Sequence, residues 1–193
     1  MATRKARPTT EVYQLKISLK GSRPLIWRRV QVTGDIALSG LHHIIQTAMG
    51  WDTGHLHVFT INGVDYGEMD MPEIPDWEDE ELVEFRQVAA AGVRRFRYEY
   101  DLGDSWQHEI TIEKILPLDP AVRYPVCLKG ENACPPEDCG GIGGYYDMLA
   151  ALADPDDPEH EHYLEWLGDE FDPEAFDLEA ANRTLRDESR VTR

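Results

Sequence analysis

Apolar and polar residues alternate with a period of two in four stretches of the chain. These stretches lie at residues 12–19, 25–32, 96–101 and 106–116. A period of two is typical of half-buried β-strands. Turn residues at 21–24 and 102–105 separate the members of each pair, so each pair is predicted to form an antiparallel hairpin. A further strand is predicted at residues 55–63, where Asn62-Gly63 is typical of a turn.

A helical period replaces the strand pattern elsewhere. Leu41, Ile44, Ile45 and Ala48 fall on one face of a helix predicted over residues 40–49, with Ser39 as its cap. Further helices are predicted at residues 81–91, 145–153, 158–167 and 173–186.

Strands dominate the first part of the chain and helices the last third. This order predicts an α+β fold: a mostly antiparallel sheet, built from two hairpins and a further strand, covered by helices. Trp27 and Trp106 lie on the alternating strands and are expected to be buried.

The length of 193 residues fits one domain. Residues 11–188 are predicted to form it. Residues 1–10 are polar and mildly basic, and we expect them to be a disordered tail. Residues 189–193 are expected to form a second tail.

Residues 124–146 interrupt the regular patterns. They contain all three cysteines, two adjacent prolines and a run of glycines at 140–144. Proline withholds a backbone donor and glycine permits positive φ, so this stretch is predicted to be a loop without helix or strand. The glycine run has no lysine beside it, and we interpret it as room for close backbone approach.

The three cysteines are candidate zinc ligands. Cys127, Cys134 and Cys139 have the spacing C-x6-C-x4-C, and only the second gap is typical of zinc sites. A fourth ligand is needed, and His108 is the first candidate because its strand leads almost directly into the loop. Buried thiols that pack as small apolar groups, or a redox pair, are the alternatives.

A second group of polar residues is a candidate acid–base cluster. His108 could belong to it together with four acidic residues if the loop folds back over the second hairpin, namely Asp101, Asp104, Glu137 and Asp138. His55 and His57 are two residues apart and share one face of the predicted strand; they are the next candidates for the fourth zinc ligand and candidate members of this polar cluster. Histidine with a carboxylate is the minimum for general acid–base catalysis. The alternative is that the aspartates of the turn only accept hydrogen bonds from backbone amides.

The charge of the chain restricts its partners. The formal net charge is −18, and residues 131–182 contain sixteen acidic residues and no Lys or Arg. Such a surface repels phosphate backbones, so no direct binding to nucleic acid is expected. The acidic stretches are interpreted as solvated surface that aids solubility, with a docking face for a basic partner as the alternative, and the partner that we expect is a protein. The sequence has no long apolar run, and we expect a cytoplasmic protein without a membrane span.

Two segments of the chain resemble a known family. YEYDLGDSWQHEITIEKIL and CLKGENACPPEDCGGIGGYYDMLAALADP, together with LHHIIQTAMGW and HLHVF, are similar to members of the plasmid Ri open-reading-frame-three-like family. The similarity runs from about residue 12 to residue 185. It implies an α+β domain that often occurs on plasmids or near mobile elements, and it implies no activity.

Two functions remain open from the sequence. The first is a binding or regulatory module of a plasmid-associated family, with zinc as a structural ion. The second is a metal-assisted hydrolase that uses His108 with Asp101, Asp104, Glu137 or Asp138. An enzyme requires these side chains to converge in an open pocket, whereas a module would leave them bonded to the backbone.

Overall fold

The computed structural model describes residues 11–69, 77–168 and 171–191, the last four of these by their backbone alone. The predicted tail at 1–10 lies outside these ranges, as do residues 192–193. Within them the strands are β1 Glu11–Leu19, β2 Trp27–Thr33, β3 His57–Ile61, β4 Val64–Gly67, β5 Glu78–Asp79, β6 Arg95–Tyr100, β7 Trp106–Pro117 and β8 Val126–Glu131. The helices are α1 Leu38–Met49, α2 Phe85–Ala90, α3 Gly141–Ala153, α4 His160–Leu167 and α5 Leu178–Val191, and a 3-10 turn lies at Glu80–Leu82.

The eight strands form one sheet in the order β5-β4-β3-β6-β7-β1-β2-β8. Every neighbouring pair is antiparallel except β4 and β5, which are parallel. The long strands β1 and β7 lie side by side and join the two parts of the sheet. The α+β class and the mostly antiparallel sheet are thereby confirmed.

The core lies on one face of this sheet. Alternate residues of β1 are fully buried, from Leu15 and Ile17 to Leu19, because a strand turns every second side chain to the same face. The apolar face of α1 belongs to the same core, with Leu41 and Ile45 at zero exposure. Gly50 ends α1 in the left-handed conformation and donates to the carbonyl of Gln46.

Both tryptophans are buried, as predicted. Trp106 on β7 is 1% exposed and Trp27 on β2 is 8% exposed. Trp27 differs in its surroundings, because the cationic groups of Lys16, Arg29 and Lys129 lie about its ring.

The prediction of an irregular loop over residues 124–146 is wrong at both ends. Strand β8 occupies Val126–Glu131 and pairs with β2, and α3 begins at Gly141. Gly130 is compatible with the strand because it leaves space for Phe176 and Arg28. A Cβ on Gly144 would overlap the backbone carbonyl of Cys139, and one on Gly141 would overlap that of Asp104, so these two glycines provide room for close backbone approach, whereas Gly143 has open space.

Two predicted boundaries are also wrong. Helix α1 starts at Leu38 with Ala37 as its cap residue, so Ser39 lies inside the first turn. The strand predicted over 55–63 begins only at His57, and the Asn62-Gly63 turn leads into β4. His55 therefore precedes the strand, and the backbone there bends.

No helix in the described part of the chain combines the length and the apolar character that a membrane crossing requires.

Candidate metal centre and histidine-lined cavity

The segment between β8 and α3 folds back over the turn that joins β6 to β7. The indole nitrogen of Trp51 donates to the carbonyl of Pro135 at 3.0 Å, and the amide of Asp52 donates to Glu137 Oε1 at 2.8 Å. From the turn itself, Asp104 Oδ2 accepts from the amide of Gly140 at 3.1 Å. The segment is therefore held from two sides, and its acidic residues are brought to the hairpin.

His55 lies at the centre of the carboxylates that this folding gathers. Its Nδ1 is 3.6 Å from Asp101 Oδ2, and its Nε2 is 3.4 Å from Glu137 Oε2 and 3.3 Å from Asp138 Oδ1. Three carboxylates from two distant segments thus surround one imidazole.

Two of these carboxylates are oriented by hydrogen bonds to their other oxygen. Asp101 Oδ1 accepts from the amides of Gly103 and Asp104, at 2.9 and 3.3 Å. Glu137 Oε1 accepts from the hydroxyl of Tyr100 at 3.0 Å as well as from Asp52. The outward oxygen of each carboxylate is left to face His55, which is the arrangement that supports metal ligands in proteins.

The backbone is unusual at two of the three acids. Asp101 and Asp138 have positive φ, 54° and 58°. A non-glycine residue adopts this conformation only where its surroundings require it, although aspartate tolerates it better than most. The conformation fixes where each carboxylate points.

The geometry fits a divalent cation. Ligand atoms from His55, Asp101 and Asp138 all lie within 4.8 Å of one another. Bonds of about 2.0–2.2 Å from nitrogen and oxygen to zinc would place the ion between them after small side-chain movements. The side chain of Asp101 is 12% exposed, that of His55 33% and that of Asp138 72%, so one side of the group is open to solvent.

A cavity of about 330 Å³ lies beside this group. Its lining residues are Ser39, His42, His43, Thr53, His55, His57, Glu68, Met69, Asp79, Glu80 and Glu81. Among them are four of the seven histidines of the chain.

A buried histidine pair forms part of the cavity wall. His57 Nε2 lies 2.8 Å from Glu80 Oε2, and both side chains are almost fully buried. The ring of His42 stacks on that of His57, with centroids 3.5 Å apart and planes 7° from parallel. His42 Nδ1 lies 2.8 Å from the hydroxyl of Tyr98, and this hydroxyl accepts a hydrogen bond from Gln46 Nε2 at 2.9 Å.

Burial determines the protonation states of His42 in this wall and of its partner Tyr98. It lowers the pKa of His42 to about 2, and the neighbouring His57 and His43 act in the same direction. It also raises the pKa of Tyr98 well above its usual value. His42 is therefore neutral and Tyr98 protonated throughout the physiological pH range.

Comparison with known proteins agrees with the motifs in the sequence. The profile of the plasmid pRiA4b ORF-3-like protein family matches residues 11–180. The chain belongs to this family. The uncharacterised protein y4hQ of Sinorhizobium fredii (strain NBRC 101917 / NGR234) is 37% identical over 182 residues, covering 91% of both chains.

A solved structure of a relative has the same fold. It is the crystal structure of the protein of unknown function MM3350 from Methanosarcina mazei Go1, which is 39% identical. It covers 89% of this chain and 98% of its own, with a TM-score of 0.81. Both relatives are described as proteins of uncharacterised or unknown function, so neither supplies an activity for this site.

The predicted zinc ligands Cys127, Cys134, Cys139 and His108 are not members of the group around His55. Within the described part of the chain, the group that has three or more ligand atoms within 4.8 Å is His55, Asp101 and Asp138. Cys127 lies on β8, and its thiol donates to the carbonyl of Lys129 at 3.7 Å. Zinc at the cysteines and His108 therefore stays a prediction.

A buried guanidinium supplies positive charge near the cysteines. Arg28 is 1% exposed, and it donates to the carbonyls of Ala48, Trp27 and Glu131 at 2.8–3.0 Å while stacking on Phe176. Its charge favours the thiolates of Cys127 and Cys134 and disfavours protonation of His108.

Burial outweighs this attraction at the thiols. It raises the pKa of Cys127 and of Cys134 and, helped by the charge of Asp104, raises the pKa of Cys139 to about 12. All three cysteines are free thiols. They are protonated at neutral pH and pack as small apolar groups.

His108 lies in the core rather than in the cluster. It is fully buried, and neither ring nitrogen has a hydrogen-bond partner among the described residues. Backbone groups of Trp106 and Tyr98 approach the ring and favour its charged form without forming a hydrogen bond of normal geometry. Burial nevertheless lowers its pKa to about 4.

The structure therefore separates the polar residues that the sequence grouped together. His55, Asp101, Glu137 and Asp138 meet. Asp104 instead binds the backbone of Gly140, and His57 pairs with Glu80. His42, His43 and Glu80 were missed. The two histidines stand together in the helical segment LHHII and Glu80 stands in the acidic run DWEDEEL, and neither pattern indicated a shared cavity.

Proposed function

We propose that this protein is a metal-dependent hydrolase whose reaction takes place in the histidine-lined cavity. A divalent transition metal such as zinc would be held by His55, Asp101 and Asp138. The observation that carries the proposal is the convergence of these three ligands, one of which, His55, also lines the open cavity. Convergence in an open pocket is what separates an enzyme from a binding module.

The donor set supports this choice of ion. Imidazole favours zinc, iron, copper and nickel, and carboxylates accept many divalent ions. Three protein ligands with one open side are typical of catalytic zinc sites, whereas structural sites have four. Bound there, the ion would lower the pKa of a water molecule to about 7 and polarise an oxygen of the substrate.

The surrounding residues have definite roles in this proposal. Glu137, which faces His55 without belonging to the three-ligand group, is positioned to accept a proton from the attacking water. The pair of His57 and Glu80 is the second proton-transfer group on the cavity wall. Neutral His42 keeps the ring of His57 in place by stacking.

The test combines metal binding with turnover. Metal-free protein is titrated with zinc by calorimetry and then assayed on chromogenic esters, amides and phosphoesters. We expect one zinc per chain and zinc-dependent turnover. His55→Gln should weaken zinc binding by at least about 100-fold, because it removes a direct ligand and loss of a residue that only orients a ligand already costs about 10- to 100-fold. His162→Gln, an exposed histidine on α4, should change neither property.

Two results would contradict the proposal. Zinc binding of equal strength in His55→Gln and wild type would place the ion elsewhere. Zinc binding at His55 without turnover of any ester, amide or phosphoester would leave an ion site but refute the hydrolase.

A second candidate is the binding or regulatory module, and α4 favours it. None of the residues of α4 is buried, and Trp166, which follows Glu165 on this helix, is 44% exposed. A basic protein that docks there would quench tryptophan fluorescence. A lysine-rich peptide should then quench the wild type more than Trp166→Ala, while an acidic peptide of equal length should quench neither.

A further inference from the structure

The cavity has carboxylates and histidines but no cationic side chain. Four of its lining residues are acids: Glu68, Asp79, Glu80 and Glu81. No Lys or Arg is among the lining residues that the structure describes. The three carboxylates around His55 lie beside them, and the neutral ring of His42 does nothing to offset their charge. The potential in the cavity is therefore negative.

Phosphate esters fit this cavity poorly. Enzymes of phosphoryl transfer surround the anionic substrate with Arg, Lys and metal ions, because the negative charge is spread over several oxygens. Here a phosphate would meet carboxylates on the wall. A ligand with positive charge is favoured instead.

His42 adds a specific donor to this negative surface. Gln46 Nε2 donates to the Tyr98 hydroxyl, and we assign the single proton of that hydroxyl to the bond with His42 Nδ1 because this nitrogen lies 2.8 Å away and gives the proton an acceptor. A neutral imidazole that accepts at Nδ1 carries its proton at Nε2. His42 is 5% exposed and lines the cavity, and no hydrogen bond to its Nε2 is found among the described residues. A hydrogen-bond acceptor on a bound ligand would therefore give the Nε2–H of His42 a partner.

We propose that the cavity recognises a small cationic amide or ester, a molecule in which an ammonium or guanidinium group lies near a carbonyl. The carboxylates of Glu68 and Glu81 attract the cation, and the Nε2–H of His42 donates to the carbonyl oxygen. This assignment rests on the proposed hydrolase function, since it names the substrate class of the same site.

The test uses metal-free protein in the presence of a chelator, so that ligand recognition is measured apart from the metal. Calorimetric titration compares N-acetylargininamide with its neutral analogue N-acetylcitrullinamide and with butylguanidine, which has the charge but no carbonyl. We expect N-acetylargininamide to bind with a Kd on the order of 1 mM and at least about tenfold more tightly than either comparison ligand.

Matched variants test which residues of the cavity bind N-acetylargininamide. Glu81→Gln should weaken binding of N-acetylargininamide by about three- to fivefold, the effect of one exposed charge pair. Glu161→Gln removes the same charge from α4 and should change binding by less than about 1.5-fold. His42→Phe keeps an aromatic ring against His57 and should abolish the preference for N-acetylargininamide over butylguanidine.

Three results would overturn the assignment: equal affinity for the charged and neutral amides, no binding of N-acetylargininamide, or equal losses in Glu81→Gln and Glu161→Gln. If His42→Phe fails to fold, the comparison with butylguanidine in the wild type still tests the carbonyl contact. If the protein binds zinc but not N-acetylargininamide, the proposed ligand class is refuted and the metal site is not. If it binds N-acetylargininamide but not zinc, the metal site is refuted and the ligand class is not.

Discussion

Replacement of His108 by leucine should make the protein less sensitive to acid. His108 is fully buried on β7, and both ring nitrogens lack hydrogen-bond partners among the described residues. Leucine has a similar volume and no polar atom. The substitution therefore removes two unsatisfied groups, and it also removes a titration that opposes folding at low pH.

The magnitude follows from the shift in pKa. The pKa of His108 falls from 6.5 to about 4 on folding. Between these values the unfolded chain binds more protons than the folded chain, so stability falls as the pH falls from 6.5 to about 4. For one such group the loss is about 2 kcal/mol between pH ~7.5 and pH ~5, and about 3 kcal/mol in full.

Urea denaturation of the wild type and of His108→Leu, at both pH values, measures this loss. The stability of the variant relative to the wild type should rise by about 2 kcal/mol on going from pH ~7.5 to pH ~5. Other groups, including His42, titrate alike in both proteins and cancel in the difference. An equal pH dependence in the two proteins would show that His108 titrates normally, and the account of its burial would then be wrong.

Two further predictions concern packing, each with a matched control. Gly144→Ala should lower the free energy of unfolding by about 1–3 kcal/mol, because its Cβ overlaps the carbonyl of Cys139. Gly143→Ala, with open space at its Cβ, should be neutral or stabilising by up to about 1 kcal/mol. Arg28→Lys should lower the free energy of unfolding by about 2–3 kcal/mol, because the hydrogen bonds of the guanidinium are lost. Arg97 is exposed, and Arg97→Lys should leave the free energy of unfolding almost unchanged. Denaturant titration measures all four variants.

The period of the apolar pattern predicted most of the sheet. Alternation at residues 12–19 and 106–116 corresponds closely to β1 and β7, because alternate residues of each strand, such as Leu15, Ile17 and Leu19 on β1, belong to the core. The prediction failed at β8, because the glycine and proline residues of this stretch were given more weight than the possibility that it pairs with another strand. Long-range pairing with β2 stabilises that strand, and no local property of the sequence reports it.

The sequence predicted the acidic residues of the candidate site but placed His108 first among its histidines. Asp101, Glu137 and Asp138 were grouped on the assumption that the loop folds back, and the bonds at Trp51 and Asp52 hold it in this position. His108 was assigned to the site from its closeness in sequence to the loop. Strand alternation instead turns its side chain to the core, beside Tyr98 on β6.

Histidines from separate elements could not be grouped from the sequence. His42 comes from α1, His57 from β3 and Glu80 from the 3-10 turn. Their contact depends on how α1 packs against the sheet, which the amphipathic pattern of one helix does not specify.

Anomalous diffraction from crystals soaked in zinc tests the central claim most directly. Data collected on both sides of the zinc absorption edge locate the ion without reference to any assumed ligand. The account predicts one strong peak bonded to His55, Asp101 and Asp138, which Asp138→Asn weakens. A peak among Cys127, Cys134, Cys139 and His108, or no peak at His55, would contradict it.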